Sequence, residues 1–308
     1  MKTLLTGATG FVARHLLPRL DGPIHVLARD ADRARAKLSR HDVRVFPWAM
    51  DDGSPPPADA FEGVEAVFHL AGEPVMGIWT EAKKRAIRDS RVRSAAALAA
   101  AMSGLADKPA VFLSASATGY YGNRGDDVLT EDMPPGHDFL ATTCVEWEAA
   151  ARTATDAGIR TVLVRTPVVF GPDGGALPTM LKVFRLGMGG KLGSGRQYFP
   201  WVHVEDLAAI YLHLARTDGL AGAFNATATE VPRNEEFTRT LGELLGRPTM
   251  LPVPEMLLKL LGEQAQLLLA SQNVLNRKLR DTGFVFAHPT LESGLADCLT
   301  ERQVPASS

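Results

Sequence analysis

The sequence predicts an α/β fold, a doubly wound parallel sheet followed by a smaller C-terminal α/β lobe. Three observations carry this reading. Short apolar runs alternate with longer helical patterns through residue 171, a glycine-rich turn separates the first run from the first helix, and the alternation is lost where Gly and Pro become dense after 171.

The expected strands are TLLTG (3–7), IHVLAR (24–29), VRVFPW (43–48), AVFHLAG (66–72), AVFLSAS (110–116) and RTVLVRTPVVFG (160–171). Helical patterns at 11–20, 30–40, 80–103 and 139–157 fill the gaps, the βαβ rhythm that feeds a parallel sheet. DDGSPPPADAFEG is a loop leading into a short helix, because consecutive prolines fit neither a helix interior nor a central strand. Residues 1–171 are expected to form one domain to which 201–227 returns. A smaller lobe takes 172–200 and 228–303, and 304–308 form a disordered tail. The apolar stretch EMLLKLLGEQAQLLLA, interrupted by Lys259, Glu263 and Gln266, reads as a buried or interfacial helix within 255–275.

Composition narrows the function classes. With 308 residues, 45% hydrophobic, and a formal net charge of -2, the chain has no basic footprint for nucleic acid and no apolar run long enough to span a bilayer. MKTLLTGATG passes from one lysine into a strand without a signal-peptide pattern, so a cytoplasmic protein is expected. Cys144 and Cys298 lie far apart, with no CxxC and no HExxH among eight histidines, which fits a reducing compartment and argues against a metal site.

The turn LLTGATGFVARHLL places Gly7 and Gly10 between strand and helix, with Ala13 where a third glycine often sits. Glycine lets a backbone approach a pyrophosphate, whose charge is met by free N–H groups and the helix N-terminus. In its βαβ context the turn is a Rossmann-type dinucleotide site, with Gly7, Thr9, Gly10, Phe11 and Val12 as candidate contacts. An acidic residue ends the second strand of NAD-specific sites; here Arg29 stands there. Its guanidinium suits a phosphate monoester and cannot accept ribose hydroxyl protons, so NADP(H) is favoured over NAD(H). Arg33 and Arg14 can assist, while Asp30 is expected to cap the next helix.

TGATGFVA (6–13), HLAG (69–72), SASATGYYG (114–122) and WVHVEDL (201–207) resemble the extended and atypical short-chain dehydrogenase/reductase superfamily. AGEPVMGIWTEAKKRAIRDSRV, TGYYGNRGDDVLTED and ASQNVLNRKLRDTGFVFAHPTLESGL narrow the resemblance to epimerase-family NAD(P)-binding proteins with a C-terminal domain of unknown function. It implies cofactor contacts at Leu70, Ala71, Gly72 and Ser114, and a backbone at Pro167 and Val168 that faces the nicotinamide amide, with Gly174 and Gly175 as a flexible cleft edge. It also implies that Ser116 orients a substrate oxygen. The superfamily's YxxxK pair falls on Leu140 and Cys144, so its tyrosine and lysine are both missing.

A neutral thiol cannot replace a fixed ammonium, and Glu146 and Glu148 nearby would disfavour thiolate, so Cys144 reads as a small placeholder, with a site role as the minor alternative. Tyr120 and Tyr121, in the loop leaving the sheet's carboxyl edge, are the other candidate proton donors. Lys84, Arg88 and Arg91 at helical spacing would suit an anionic substrate or form a solvated face.

Two readings stay open. One is an NADP(H)-dependent oxidoreductase or nucleotide-sugar-epimerase-like enzyme acting on a small carbonyl or alcohol, the cofactor carrying the hydride. The other is a cofactor-binding sensor that has lost the chemistry. No nucleic-acid or membrane partner is expected, and a homodimer would satisfy the apolar 255–275 stretch.

Overall fold

The structure, a computed structural model, describes residues 1–39, 41–50 and 53–300. The expected tail at 304–308 lies outside the described residues. Two compact units divide the chain: Met1–Tyr120, Pro135–Arg165 and Ala208–Phe224 form the first, and Tyr121–Pro134, Thr166–Leu207 and Asn225–Ser308 the second. These boundaries differ from those expected. The break expected after 171 falls after 165, the returning segment is 208–224, and residues 121–134 join the second unit.

A seven-stranded sheet runs in the order Gly222–Asn225, Arg160–Thr166, Val111–Ala117, Ala66–His69, Thr3–Thr6, Ile24–Ala28, Val43–Pro47. Pairings from Val43–Pro47 across to Val111–Ala117 are parallel. The chain therefore starts in the middle, winds to one edge and then returns to wind the other way. That leaves a topological switch point beside Thr3–Thr6, where ligands of such sheets bind.

Helix Glu81–Ser103 turns Ala95, Leu98, Ala99 and Met102 to one face, where they join Val67 and Phe112 of the strands and Trp147 and Ala151 of helix Phe139–Asp156 in one core. Burying each large apolar side chain contributes roughly 1.5–3 kcal/mol. Side chains close the helix N-termini: Thr80 accepts from the Lys83 N–H, Asp138 from Ala141 and Asp30, as expected, from Arg33.

The second unit gathers Phe170, Phe199, Trp201, Phe237, Leu241 and Leu295 into its own core, with Phe170 stacked on Trp201 and Phe237 at centroid distances of 5.7 and 5.5 Å. The expected strand 160–171 is two strands, Arg160–Thr166 and Val168–Gly171, in different sheets. Pro167 between them has no N–H to give a ladder. The expected 255–275 helix is also broken, into Glu255–Lys259, a 3-10 turn at Gly262–Ala265 and Gln266–Leu269. Gly262 at φ +67° leaves the helical region.

At the switch point His69 is fully buried between two hydroxyls, with Nδ1 2.7 Å from Thr6 Oγ1 and Nε2 3.0 Å from Ser94 Oγ. The Ser94 hydroxyl donates to the Ser90 carbonyl at 2.7 Å, so toward His69 it accepts from Nε2–H. Thr6 then donates to Nδ1, while its oxygen accepts the Ala71 N–H at 3.2 Å. Only the neutral ring completes this chain. Burial, with the nearby Arg91 charge, pushes the imidazole down to about 3. Because the folded value lies below the ordinary 6.5, the unfolded chain binds the proton first, and stability falls as pH drops from about 6.5 toward 3. The unfolding free energy from denaturant titrations should accordingly fall between pH 7 and pH 5 by up to about 1.4 kcal/mol per pH unit below 6.5, and His69→Asn should flatten that slope while lowering stability at pH 7.

Candidate functional site

A cleft of about 370 Å³ opens at the switch point in the first unit, lined by Gly7 to Gly10, the end of the second strand, and Leu70 to Glu73 after the fourth. Gly7 makes the closure possible. Its φ is +70°, and a Cβ there would lie 2.8 Å from both the Ala71 nitrogen and the Leu70 carbonyl carbon. No side chain fits between the two loops. Gly10 donates to the Gly7 carbonyl at 2.8 Å and starts helix Phe11–Leu16 without a side-chain cap. First-turn N–H groups of such a helix are the donors an anion can take up.

Arg29, Arg33 and Lys37 line the same cleft at the end of the second strand and along helix Ala31–Lys37. Three cations around one mouth fit a dianionic phosphate. Lys37 lies one turn beyond Arg33, a spacing visible in the sequence but not singled out there. Of the candidate contacts, Gly7, Thr9, Gly10, Arg29, Leu70, Ala71 and Gly72 line the cleft, whereas Phe11, Val12, Arg14 and Ser114 are not among its lining residues. Phe11 packs edge-on against His15, and the Ser114 hydroxyl donates to the Ala115 carbonyl at 3.1 Å.

The candidate catalytic residues have more varied surroundings than the sequence suggests. Ser116 is buried, and its hydroxyl donates to Glu148 Oε1 at 2.7 Å. That proton is committed to a carboxylate. Glu148 sits one helical turn beyond Cys144 and receives Arg165 through two nitrogens, Nε to Oε1 at 2.8 Å and NH2 to Oε2 at 3.0 Å, with Arg152 on Oε2 at 3.0 Å. Burial pushes the Glu148 carboxyl up, but Arg165, then Ser116 and Arg152, outweigh it and hold it below its ordinary value. Sequence reading named Glu148 only as a neighbour of Cys144 and missed Arg165, because their pairing joins a helix to a strand across 17 residues.

Cys144 is buried, and burial together with the Glu148 carboxylate pushes its thiol up to about 12. The placeholder reading fits this setting; a thiolate catalyst does not. Tyr121 is fully buried in the second unit, its hydroxyl donating to Asn225 Oδ1 at 2.8 Å, which ties down 121–134 rather than presenting an acid. Tyr120 is half-buried in the first unit, with the Arg165 guanidinium 3.5 Å from its ring centroid. Pro167 and Val168 belong to the second unit, where the Val168 N–H donates to the Pro200 carbonyl at 3.3 Å.

The basic helix face is engaged with its own neighbours. Arg88 pairs with Glu146 at 2.5 Å, Lys84 with Glu81 at 3.2 Å, and Arg91 donates to the Glu73 and Ile87 carbonyls. An anionic substrate finds no support there.

In the second unit the fold brings together His203, His288 and Asp297, whose potential ligand atoms lie within 4.8 Å of one another, a convergence the spacing analysis missed. His203 Nδ1 accepts the Glu205 N–H at 3.3 Å, so the neutral ring carries its proton on Nε2, 3.3 Å from Asp297 Oδ2. The nitrogen a metal would need then carries a proton and lies beside a carboxylate.

A switch-point cleft with a glycine turn and a cationic rim defines a dinucleotide-binding protein of the Rossmann class. Residues 3–226 match the NAD dependent epimerase/dehydratase family and residues 253–298 a domain of unknown function, DUF1731. The chain belongs to the NAD dependent epimerase/dehydratase family, as its motifs suggest. It is 37% identical over 299 residues to the epimerase family protein SDR39U1 homolog, chloroplastic, of Arabidopsis thaliana, covering 96% of this chain and 86% of that protein. With epimerase family protein YfhF of Bacillus subtilis it shares 32% identity over 98% of this chain and 99% of the relative. The crystal structure of human epimerase family protein SDR39U1 (isoform 2) with NADPH is similar at a TM-score of 0.84 and 30% identity, covering 97% of this chain and 99% of the other. A Thermotoga maritima UDP-glucose 4-epimerase, at 18% identity and a TM-score of 0.76, shares the fold. Among the described residues no helix is long and apolar enough to cross a membrane.

Removing the charge from Glu148 leaves the Arg165 guanidinium buried without its partner. Glu148→Gln should cost about 3–5 kcal/mol of stability in denaturant unfolding. Unchanged stability would mean that the pair carries no structural weight.

Proposed function

We propose that the chain is an NADP(H)-dependent oxidoreductase or epimerase acting on a small carbonyl or alcohol. The observation that carries this reading is the set of Arg29, Arg33 and Lys37 around the cleft closed by Gly7, where an acidic residue would serve NAD(H). The similar human protein has been crystallised with NADPH, which supports the same cofactor here.

Within this reading the glycine turn holds the pyrophosphate, and Arg29, Arg33 and Lys37 hold the phosphate on the adenosine ribose. The bound cofactor supplies or accepts the hydride. Of the four candidate catalytic side chains, the Ser116 hydroxyl donates to Glu148, Tyr121 is committed to Asn225, and Cys144 is inert. Tyr120, with the Arg165 guanidinium against its ring, is the candidate to move a proton to or from the substrate oxygen. Two buried free thiols suit a reducing compartment such as the cytoplasm.

The same commitments favour a second reading, a cofactor-binding sensor without turnover. Arg29→Glu should weaken NADPH binding at least tenfold, about 1.4 kcal/mol, and leave NADH binding nearly unchanged; equal losses for both would remove the phosphate-reading role. Incubating the protein with deuterated NADPH and a host metabolite extract, beside Tyr120→Phe, separates enzyme from sensor. Deuterium in one product, lost in the variant, is expected. Cofactor binding with neither transferred label nor an isomerised product would establish the sensor.

A further inference from the structure

We propose that the apolar face formed by segments 183–188 and 250–261 of the second unit is the interface between two copies of this chain. Nine large apolar side chains in these segments are 44% to 85% exposed, with Leu186, Met250, Met256 and Leu260 each above 70%. The two segments form one surface. Gly190 bridges to Met250 and Leu192 to Val253, and reciprocal bonds of 2.9 Å join Gly193 N–H to the Val253 carbonyl and Val253 N–H to Lys191. Gly190 permits this contact, since a Cβ there would fall 1.6 Å from the Leu251 carbonyl oxygen.

The broken helix explains why these residues face outward. A continuous amphipathic helix would turn one stripe inward. Glu255–Lys259 instead completes little more than one turn before the chain bends at Gly262, and of its apolar residues only Leu258 is buried. Met256 and Leu257 are left on the outside, and Leu260 and Leu261 follow them.

The exposed area decides the occupant. At these exposures the nine side chains present on the order of 1,000 Å² of apolar surface, above the roughly 300–600 Å² of a typical monomer's largest patch and enough for the about 800 Å² each partner gives a standard interface. Charge is sparse. The two segments hold three charged residues, Arg185, Glu255 and Lys259, of which Glu255 and Lys259 pair 2.8 Å apart within one chain. A second copy thus supplies an apolar area of the size a standard interface needs, with little charge to desolvate.

Sedimentation velocity on the full chain over a concentration series tests this directly. A species of twice 33.1 kDa is expected, with Leu260→Lys weakening association at least tenfold while the circular dichroism of the folded chain is unchanged. Hydrogen–deuterium exchange of the unaltered protein, dilute against concentrated, provides the reading that needs no variant: protection should grow across 250–261. A chain that stays monomeric throughout overturns the proposal, whether or not it binds lipid vesicles or another protein. So does a dimer whose protection lies elsewhere or whose mass ignores Leu260→Lys.

Discussion

The hydrogen-bonded chain running from the Ala71 N–H through Thr6 and neutral His69 to Ser94 is the constraint on which the first unit depends. It joins the ends of the first and fourth strands to helix Glu81–Ser103 where the chain reverses its winding. Each member has one acceptable role: Thr6 donates to the ring and accepts from the backbone, and Ser94 accepts because its proton is used on Ser90. Satisfied in this way, a buried polar network fixes geometry that apolar packing alone would leave loose. Gly7 then needs only to be small to bring its loop against Leu70 and Ala71, and the cleft follows from that approach.

The second buried network, Ser116–Glu148–Arg165, shows how far this chain departs from the superfamily's chemistry while keeping its cofactor site. Its helix offers Leu140 and Cys144 where a tyrosine and lysine would act, and a turn later uses Glu148 to neutralise an arginine almost excluded from water. A buried ion pair contributes little net stability, yet either partner alone is costly, so the two are retained or lost together. Arg165 consequently stands fixed against the Tyr120 ring. The glycine turn and this network lie in separate parts of the unit, and only the first resembles the superfamily pattern.

Much of the fold was legible because its signals are local. Alternating βαβ periodicity located the strands from Thr3 to Ala117, and Asp30 as a cap could be read from its place before a helical pattern. The glycine turn, Arg29 and the HLAG loop could be read because strand ends at a switch point must converge on one ligand. Residues 121–134 could not be assigned in this way. Their partners are Ser271 and Gln272, about 150 positions away, and a short strand at Val128–Leu129 pairs with Asn273–Val274. The break at 260–265 was equally hidden, since the leucines on both sides of Gly262 fit a helix until φ turns positive there.

By itself the sequence determined the fold class, the family and a dinucleotide-binding turn, because periodicity and turn chemistry are properties of short segments. Only the tertiary structure decided what surrounds each candidate group. Ser116, Tyr121 and Cys144 carry the right atoms for chemistry, but each is removed from it by a partner or by burial: Glu148, Asn225 and the apolar shell. A side chain's reactivity depends on desolvation and on its hydrogen-bond partners, and both are set by residues that meet only when the chain is folded.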